Sequence, residues 1–242
     1  MSFIPISYVG FTSGSGNNET SSTFSLPAGW SNNNLAIFCW YCFEPTKKFT
    51  DASGGKLTSI GSGSAASGTG SYFIGYRTLV TGDTTFAWTA NSVASGTVVW
   101  GTAVFSGSYT GSGVIEAQSA FTTWTNAASP DPPAVITIGS GSCVISFFGK
   151  MNDFTTYGAP SNYSAGVSCS STAGNDASFG LVYRFMGAAG SEDPGAWTLG
   201  GGAATDDGYT WTGAISTGSL VTASVTTRKF CGDGFHWTTC AR

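Results

Sequence analysis

Charge is what this sequence has least of. Only 9% of its 242 residues are Asp, Glu, Lys or Arg, against about 25% in an average soluble protein. Helix surfaces normally carry Glu and Lys, so this alphabet is poorly suited to a helix-rich protein. Serine, threonine, asparagine and 35 glycines are abundant instead, and they suit uncharged strand surfaces and tight turns. The composition therefore predicts an all-β fold with minimal helix.

Basic clusters and long apolar runs are also missing. The formal net charge is −4, and the only adjacent basic pairs are Lys47 with Lys48 and Arg228 with Lys229. A nucleic-acid surface needs a basic patch, so we expect no nucleic-acid partner. The longest apolar run, residues 35–43, is too short for a membrane helix, so we expect no membrane partner. The first residues lack the basic region of a secretory signal, so we expect synthesis in the cytoplasm without export by the secretory pathway, the alternative being a signal that was already removed.

Residues that usually carry catalysis are scarce. Histidine, the commonest general base and metal ligand, occurs once, at His236. The many Gly-Ser strings are turn material, because none forms a nucleophile elbow before a helix or carries the lysine of a phosphate-binding loop. The adjacent acidic pairs, residues 192–193 and 206–207, lie in turn-like segments, where solvated carboxylates are favoured over a calcium site. We expect no enzyme activity, catalytic residue, cofactor or metal site.

Six cysteines are disulfide candidates, and their pairing is open. They are Cys39, Cys42, Cys143, Cys169, Cys231 and Cys240. We expect Cys231 and Cys240 to close a short glycine-rich loop, the alternative being two free, buried thiols. Cys39 and Cys42 have the spacing of a redox motif, but they lie in an apolar strand whose side chains three apart point to opposite faces. We therefore expect each of them to pair elsewhere or to stay reduced.

Short strand-like segments recur along the chain, separated by connectors rich in Gly, Ser and Asn, such as residues 13–18. No segment of a dozen residues keeps the apolar period of a helix. The predicted strands are residues 4–9, 23–26, 35–43, 72–80, 85–89, 97–105, 114–117, 134–138, 143–148, 178–185, 196–199, 209–215 and 220–226.

Landmarks of the first half recur in order in the second half. The separation along the chain is 106 residues between Pro27 and Pro133 and 108 between Ile37 and Ile145. It is 107 residues between Arg77 and Arg184 and 109 between Trp88 and Trp197. A nearly constant offset predicts duplication of one β unit. A single unit of about five strands leaves one face and two edges open.

We therefore expect two pseudo-symmetric repeats to pack face to face as one compact antiparallel β-sandwich of jelly-roll type. The predicted boundaries are residues 1–120 for the first repeat, 121–218 for the second, and 219–242 for a C-terminal strand and cysteine loop. Two separate small domains joined near residues 120–133 are the alternative.

A known family shows a similar order of short motifs. The motifs are Pro27-Ala28-Gly29-Trp30, the apolar strand at residues 35–39, a glycine-rich hairpin at residues 61–70, Tyr76-Arg77, Gly82-Asp83, Trp88 and Val104-Phe105-Ser106-Gly107. Over roughly residues 1–218, this order resembles the two-repeat β-sandwich virion proteins of tailed bacteriophages. The resemblance implies a virion structural protein, first of all a capsid decoration or accessory protein on the particle surface. A neck or tail structural protein and a receptor- or glycan-binding tail module are the alternatives.

The same resemblance implies contacts with major capsid, neck or tail proteins, and homo-oligomers at symmetric sites. It implies no catalytic residue. The six cysteines and the terminal loop depart from the family, and we expect oxidation to lock the particle after release from the host. Candidate partner contacts are Phe235, His236 and Trp237 in that loop, and Trp124. Trp124, Tyr157 and Trp237 lie in polar, loop-like surroundings that suit sugar stacking, with core or interface packing as the alternative.

Overall fold

Strands make up all the regular structure in the part of the chain that is described. The computed structural model describes residues 5–64, 70–91, 96–107, 113–125, 129–152, 154, 156–171, 176–200 and 207–216. Within these ranges there are eighteen strands and no helix, so the all-β prediction is confirmed. None of these segments forms a helix that is long and apolar enough to cross a membrane. The predicted strand at residues 220–226 lies outside the described residues.

Eight strands form two sheets in the first half. They are β1 (Ser7–Asn17), β2 (Ser21–Ser25), β3 (Leu35–Cys42), β4 (Phe49–Asp51), β5 (Thr58–Ser64), β6 (Ser71–Thr78), β7 (Thr85–Ala90) and β8 (Thr97–Ser106). The first large sheet has the order β1-β8-β3-β6-β5, and the first outer sheet has the order β2-β7-β4. All of these pairings are antiparallel.

Ten strands form the second half. They are β9 (Ile115–Gln118), β10 (Thr122–Trp124), β11 (Val135–Thr137), β12 (Cys143–Lys150), β13 (Thr156–Gly158), β14 (Ser164–Ser171), β15 (Ala177–Phe185), β16 (Gly190–Glu192), β17 (Thr198–Gly200) and β18 (Gly208–Ile215). The second large sheet has the order β10-β18-β12-β15-β14, with β9 also paired to β18. Two short outer pairs, β11-β16 and β13-β17, complete this half. Sheet membership thus changes between Ser106 and Ile115, ahead of the predicted boundary at residue 120.

The two large sheets bury their facing sides in one shared core. Ile37 and Phe105 of the first large sheet belong to the same buried cluster as Ile145, Phe179 and Trp211 of the second. Tyr8 also donates a hydrogen bond across the sheets, from Oη to the carbonyl oxygen of Gly166 at 2.7 Å. The structure is therefore consistent with a β-sandwich, as the sequence predicts.

The far side of each large sheet is covered as well. Phe38 and Trp40 pack beneath Trp88 of the first outer sheet, and Phe148 packs beneath Trp197 in the second half. Every residue of β3, β12 and β18 is buried as a result. A strand buried on both faces has an apolar run without alternation, which is why the sequence pattern locates β3 and β12 well.

The prediction of about five strands per unit was wrong, because it left out several short outer strands and the glycine-rich edge strands. Six strands were missed: β4, β5, β10, β13, β14 and β16. Of these, β5 and β14 are edge strands rich in Ser and Gly. Such residues have weak strand propensity, so their pairing with a stronger neighbouring strand decides the conformation.

The predicted connector at residues 13–18 was also wrong, because β1 continues to Asn17. Its glycines make room for an aromatic ring of the neighbouring strand. A Cβ on Gly14 would lie 2.7 Å from the Trp100 ring of β8, so only glycine lets that ring lie across the strand. The turn begins at Asn18, whose φ of 58° is in the left-handed region.

Candidate functional site

The first buried carboxylate of interest is Asp83, which is 4% exposed. The Nε atom of Arg77 donates to its Oδ2 at 3.2 Å, and the backbone N–H of Val80 donates to the same oxygen at 3.0 Å. Lys56 Nζ lies 3.9 Å from Oδ1. Asp83 is therefore surrounded by donors that fix the end of β6 against the turn that follows it.

A second buried carboxylate, Glu192, is held in a comparable way. Arg184 Nη1 donates to its Oε1 at 2.6 Å, and the Tyr163 hydroxyl donates to the same oxygen at 3.1 Å. The expectation of a solvated turn carboxylate at residue 192 was wrong, because Glu192 lies in β16 and is 6% exposed. Burial, and then the charge of Glu192, raise the pKa of Tyr163. Asp193 is exposed, and Asp206 lies outside the described residues.

The four described cysteines are free thiols. Cys39 faces the shared core, whereas Cys42 faces the first outer sheet, so the two side chains point to opposite faces. Burial raises the pKa of Cys39 and of Cys143 far above the usual range, and it raises the pKa of Cys42 to about 11. The thiolate is the reactive form of cysteine, so a raised pKa makes these thiols unreactive near neutral pH. Their side chains contribute to core packing.

Cys169 is half-buried on β14, and its Sγ donates to the carbonyl oxygen of Gly14 at 3.2 Å. This contact joins the edges of the two large sheets. Cys231 and Cys240 lie outside the described residues, and their disulfide stays a prediction. Within the described ranges, no group of three His, Cys, Asp or Glu residues is arranged to hold a metal ion.

The aromatic residues singled out from the sequence lie mainly in packed surroundings. Trp124 is 9% exposed, and its ring lies over Gly208, where a Cβ would come within 2.8 Å of Cζ2. Tyr157 is half-buried beside Phe154 and Trp197. Both positions fit the alternative of core packing. Phe235, His236 and Trp237 lie outside the described residues.

A shallow groove lies at the side of the first half, where β1 and β2 run next to each other. It has a volume of about 210 Å³ and is lined by Thr12, Ser13, Thr23, Ser25 and Trp100. The Trp100 indole N–H donates to the carbonyl oxygen of Thr23 at 3.1 Å. The Thr12 hydroxyl donates to the carbonyl oxygen of Ser25 at 2.6 Å. No sequence motif marked this site, because its lining residues come from two segments rich in Ser, Thr and Gly and from one strand tryptophan.

Several large apolar side chains are exposed elsewhere. Ile136 lies in β11 and is 68% exposed, and Ile138, directly after that strand, is 73% exposed. Phe11 and Phe185 are 52% and 43% exposed. Side chains of this kind on a surface are common in soluble proteins, and none of the sequence motifs includes them.

No known protein family, no curated protein and no solved structure matches this chain. Function therefore has to be argued from the strand order, the packing and the groove.

Proposed function

We propose that the protein is a non-enzymatic structural protein of a tailed-bacteriophage virion, first of all a capsid decoration or accessory protein on the particle surface. The observation that carries the proposal is the strand order of the first half. An eight-stranded jelly roll places strands 1, 8, 3 and 6 in one sheet and strands 2, 7, 4 and 5 in the other, and this architecture recurs in viral capsid and lectin domains. The first half has β1-β8-β3-β6 and β2-β7-β4, with β5 paired to β6 in place of β4.

The second half supports a duplication of this unit. Its large sheet repeats the order of the first, with β9 and β10 in the place of β1 and with β18, β12, β15 and β14 following. Its outer pairs repeat the outer sheet, with β16 and β17 together in the place of β7. The register also agrees, because Ile37 lies opposite Tyr76 and Ile145 lies opposite Tyr183.

Equivalent side chains make equivalent contacts in the two halves. The rings of Trp40 and Trp88 pack edge to face at 6.0 Å. Phe148 and Trp197, 108 and 109 positions further on, pack edge to face at 4.6 Å. We infer two pseudo-symmetric jelly-roll-like repeats whose large sheets share one core.

The charged and nucleophilic groups described above also favour a structural role. Asp83 and Glu192 are each paired with an arginine, and Cys39, Cys42 and Cys143 are buried with raised pKa values. These groups therefore stabilise the fold. A surface made mainly of neutral polar residues suits a protein that binds a repeated lattice of other virion proteins and forms symmetric oligomers.

The decisive experiment measures this chain in purified phage particles whose genome encodes it. Quantitative mass spectrometry gives its copy number relative to the major capsid protein, and gold-labelled antibodies locate it by electron microscopy. Hundreds of copies on the head are expected for a decoration protein. A dozen or fewer copies at the neck or tail would replace decoration by one of the alternative virion roles. Absence from particles freed of host debris would overturn the proposal.

A glycan-binding tail module is the second candidate. The groove beside Trp100 is the observation that favours it.

A further inference from the structure

We propose that the groove between β1 and β2 binds one ring of a neutral saccharide. The inference deepens the second candidate function and is compatible with the first, since a surface protein with a sugar site would help a particle adhere to a cell. It concerns binding by the isolated chain, so it stands or falls separately from the location of the protein in a virion.

The groove is a preorganised site. Thr12 of β1 and Trp100 of β8 each donate one hydrogen bond to a carbonyl oxygen of β2, so the two bonds hold β2 against both of these neighbouring strands. The Trp100 ring is also held by Gly14 beneath it and by an edge-to-face contact with Trp88 at 5.3 Å. A rigid site loses little conformational freedom when a ligand binds.

The chemistry of the lining residues points to a neutral, polyhydroxylated ligand. Four of the five lining residues are Ser or Thr. The Ser13 hydroxyl is hydrogen-bonded to Cys169 and the Thr12 hydroxyl donates to Ser25, so the exposed hydroxyls of Thr23 and Ser25 are the ones that can both donate and accept, as sugar hydroxyls do. None of the five carries a charge, so an anionic or cationic ligand would lose water without gaining a counter-charge. Trp100 is half-buried and supplies an apolar surface beside these polar groups, a combination found in small-molecule sites.

The size of the groove limits the ligand to a single ring. Sites that enclose drug-sized molecules have volumes of about 300–1,000 Å³, whereas this groove has about 210 Å³. One ring in an open groove is expected to bind with a Kd of about 1–10 mM. Many copies on one particle would convert such weak contacts into firm attachment to a glycan-coated surface.

The test uses saturation-transfer NMR on the purified full-length chain with glucose, galactose, mannose and N-acetylglucosamine. Glucuronic acid is the charged counterpart. The variant Ser25→Tyr places a ring in the groove from an exposed position, and Ser21→Tyr adds the same ring at an exposed position of the same strand outside the groove. Trp100→Phe shortens the aromatic surface. Thermal melting of each variant confirms that it is folded.

We expect at least one neutral sugar to bind in the millimolar range, with affinity at least tenfold weaker in Ser25→Tyr and unchanged in Ser21→Tyr. Trp100→Phe should weaken binding in the same direction. Three results would each overturn the inference: no saturation transfer from any neutral sugar up to about 50 mM, equal binding by Ser25→Tyr and the wild type, or tighter binding of glucuronic acid than of glucose. Immobilised polysaccharides tested beside the free sugars show whether the ring is recognised within a surface glycan or as a free sugar.

Discussion

The close packing of the two large sheets can be tested with a single methyl group on Gly149. This residue lies in β12, and its α-carbon faces Tyr41 of β3 in the other large sheet. A Cβ at position 149 would lie 2.3 Å from Cδ2 and 2.6 Å from Cε2 of Tyr41. Tyr41 is completely buried, so its ring has little room to move away. Gly149→Ala therefore forces either the Tyr41 ring to move or the two large sheets to separate.

The sign of the effect depends on whether the sheets are packed. Overfilling a well-packed core lowers the free energy of unfolding by about 1–3 kcal/mol. Without that clash, replacing glycine by alanine within a strand raises it by roughly 0.5–1 kcal/mol. A Cβ that lies 2.3 Å from a completely buried ring places the cost in the upper half of that range of about 1–3 kcal/mol, so the net expectation for Gly149→Ala is a loss of about 1–2 kcal/mol. In a protein of this size each kcal/mol changes the melting temperature by about 2–4 °C, so we expect a decrease of roughly 2–8 °C.

Urea denaturation and scanning calorimetry measure this change. Gly187→Ala is the matched control, because no atom lies within 4 Å of a Cβ at that position. Combining Gly149→Ala with Tyr41→Leu tests the contact itself, since removing the ring should make the added methyl group less costly than it is beside tyrosine. If Gly149→Ala were as stable as the wild type, the face-to-face packing of the two large sheets would be refuted.

Two further predictions follow from the pKa values of buried groups. Because the pKa of Cys42 is about 11, roughly one thiol in a thousand is ionised at pH 8, so iodoacetamide should label Cys39, Cys42 and Cys143 only after unfolding. Mass spectrometry of the native protein checks this, and rapid native labelling of Cys39 would contradict it. Burial raises the pKa of Tyr72 from 10.0 to about 12, so the folded state keeps a proton that the unfolded state loses. The free energy of unfolding should therefore fall as the pH rises from about 10 to 12, and urea curves at pH 9, 10 and 11 that coincide would show that this reasoning is wrong.

The strands that pack in the interior were the easiest to predict. Residues 35–43 and 143–148 form continuous apolar runs because the structure buries β3 and β12 on both faces. Only burial on two sides tolerates such a run, so the pattern also implied layers above and below. One of those layers was predicted as the other repeat, whereas a separate outer layer was not predicted.

The edges of the sheets could not be predicted, because their residues carry little information by themselves. A Gly-Ser string has the composition of a turn, yet residues 13–17 continue β1. These residues pair with β8, a strand more than 80 positions later in the chain, and Gly14 leaves room there for the Trp100 ring. The groove depends on the same long-range contact, and that is why no local pattern revealed it.

The buried ion pairs fell between these extremes. Glu192, the partner of Arg184, was predicted to lie in a turn-like segment together with Asp193. The turn is real, since Gly195 has a φ of 72° and proline cannot donate to a ladder. The turn begins after Glu192. Glu192 is therefore the last residue of β16, and it carries the buried charge.

The proposed duplication also explains why Tyr41 faces a glycine. Ile37 and Ile145 are 108 positions apart, and the same offset makes Tyr41 and Gly149 equivalent positions in the two repeats. Equivalent residues meet where a twofold axis crosses an interface, so two copies of the same large side chain would occupy the same space there. A tyrosine in one repeat and a glycine in the other fill that space once. Under the proposed duplication, the two repeats supply complementary sheets, and divergence at such positions lets these sheets approach closely enough to share a core.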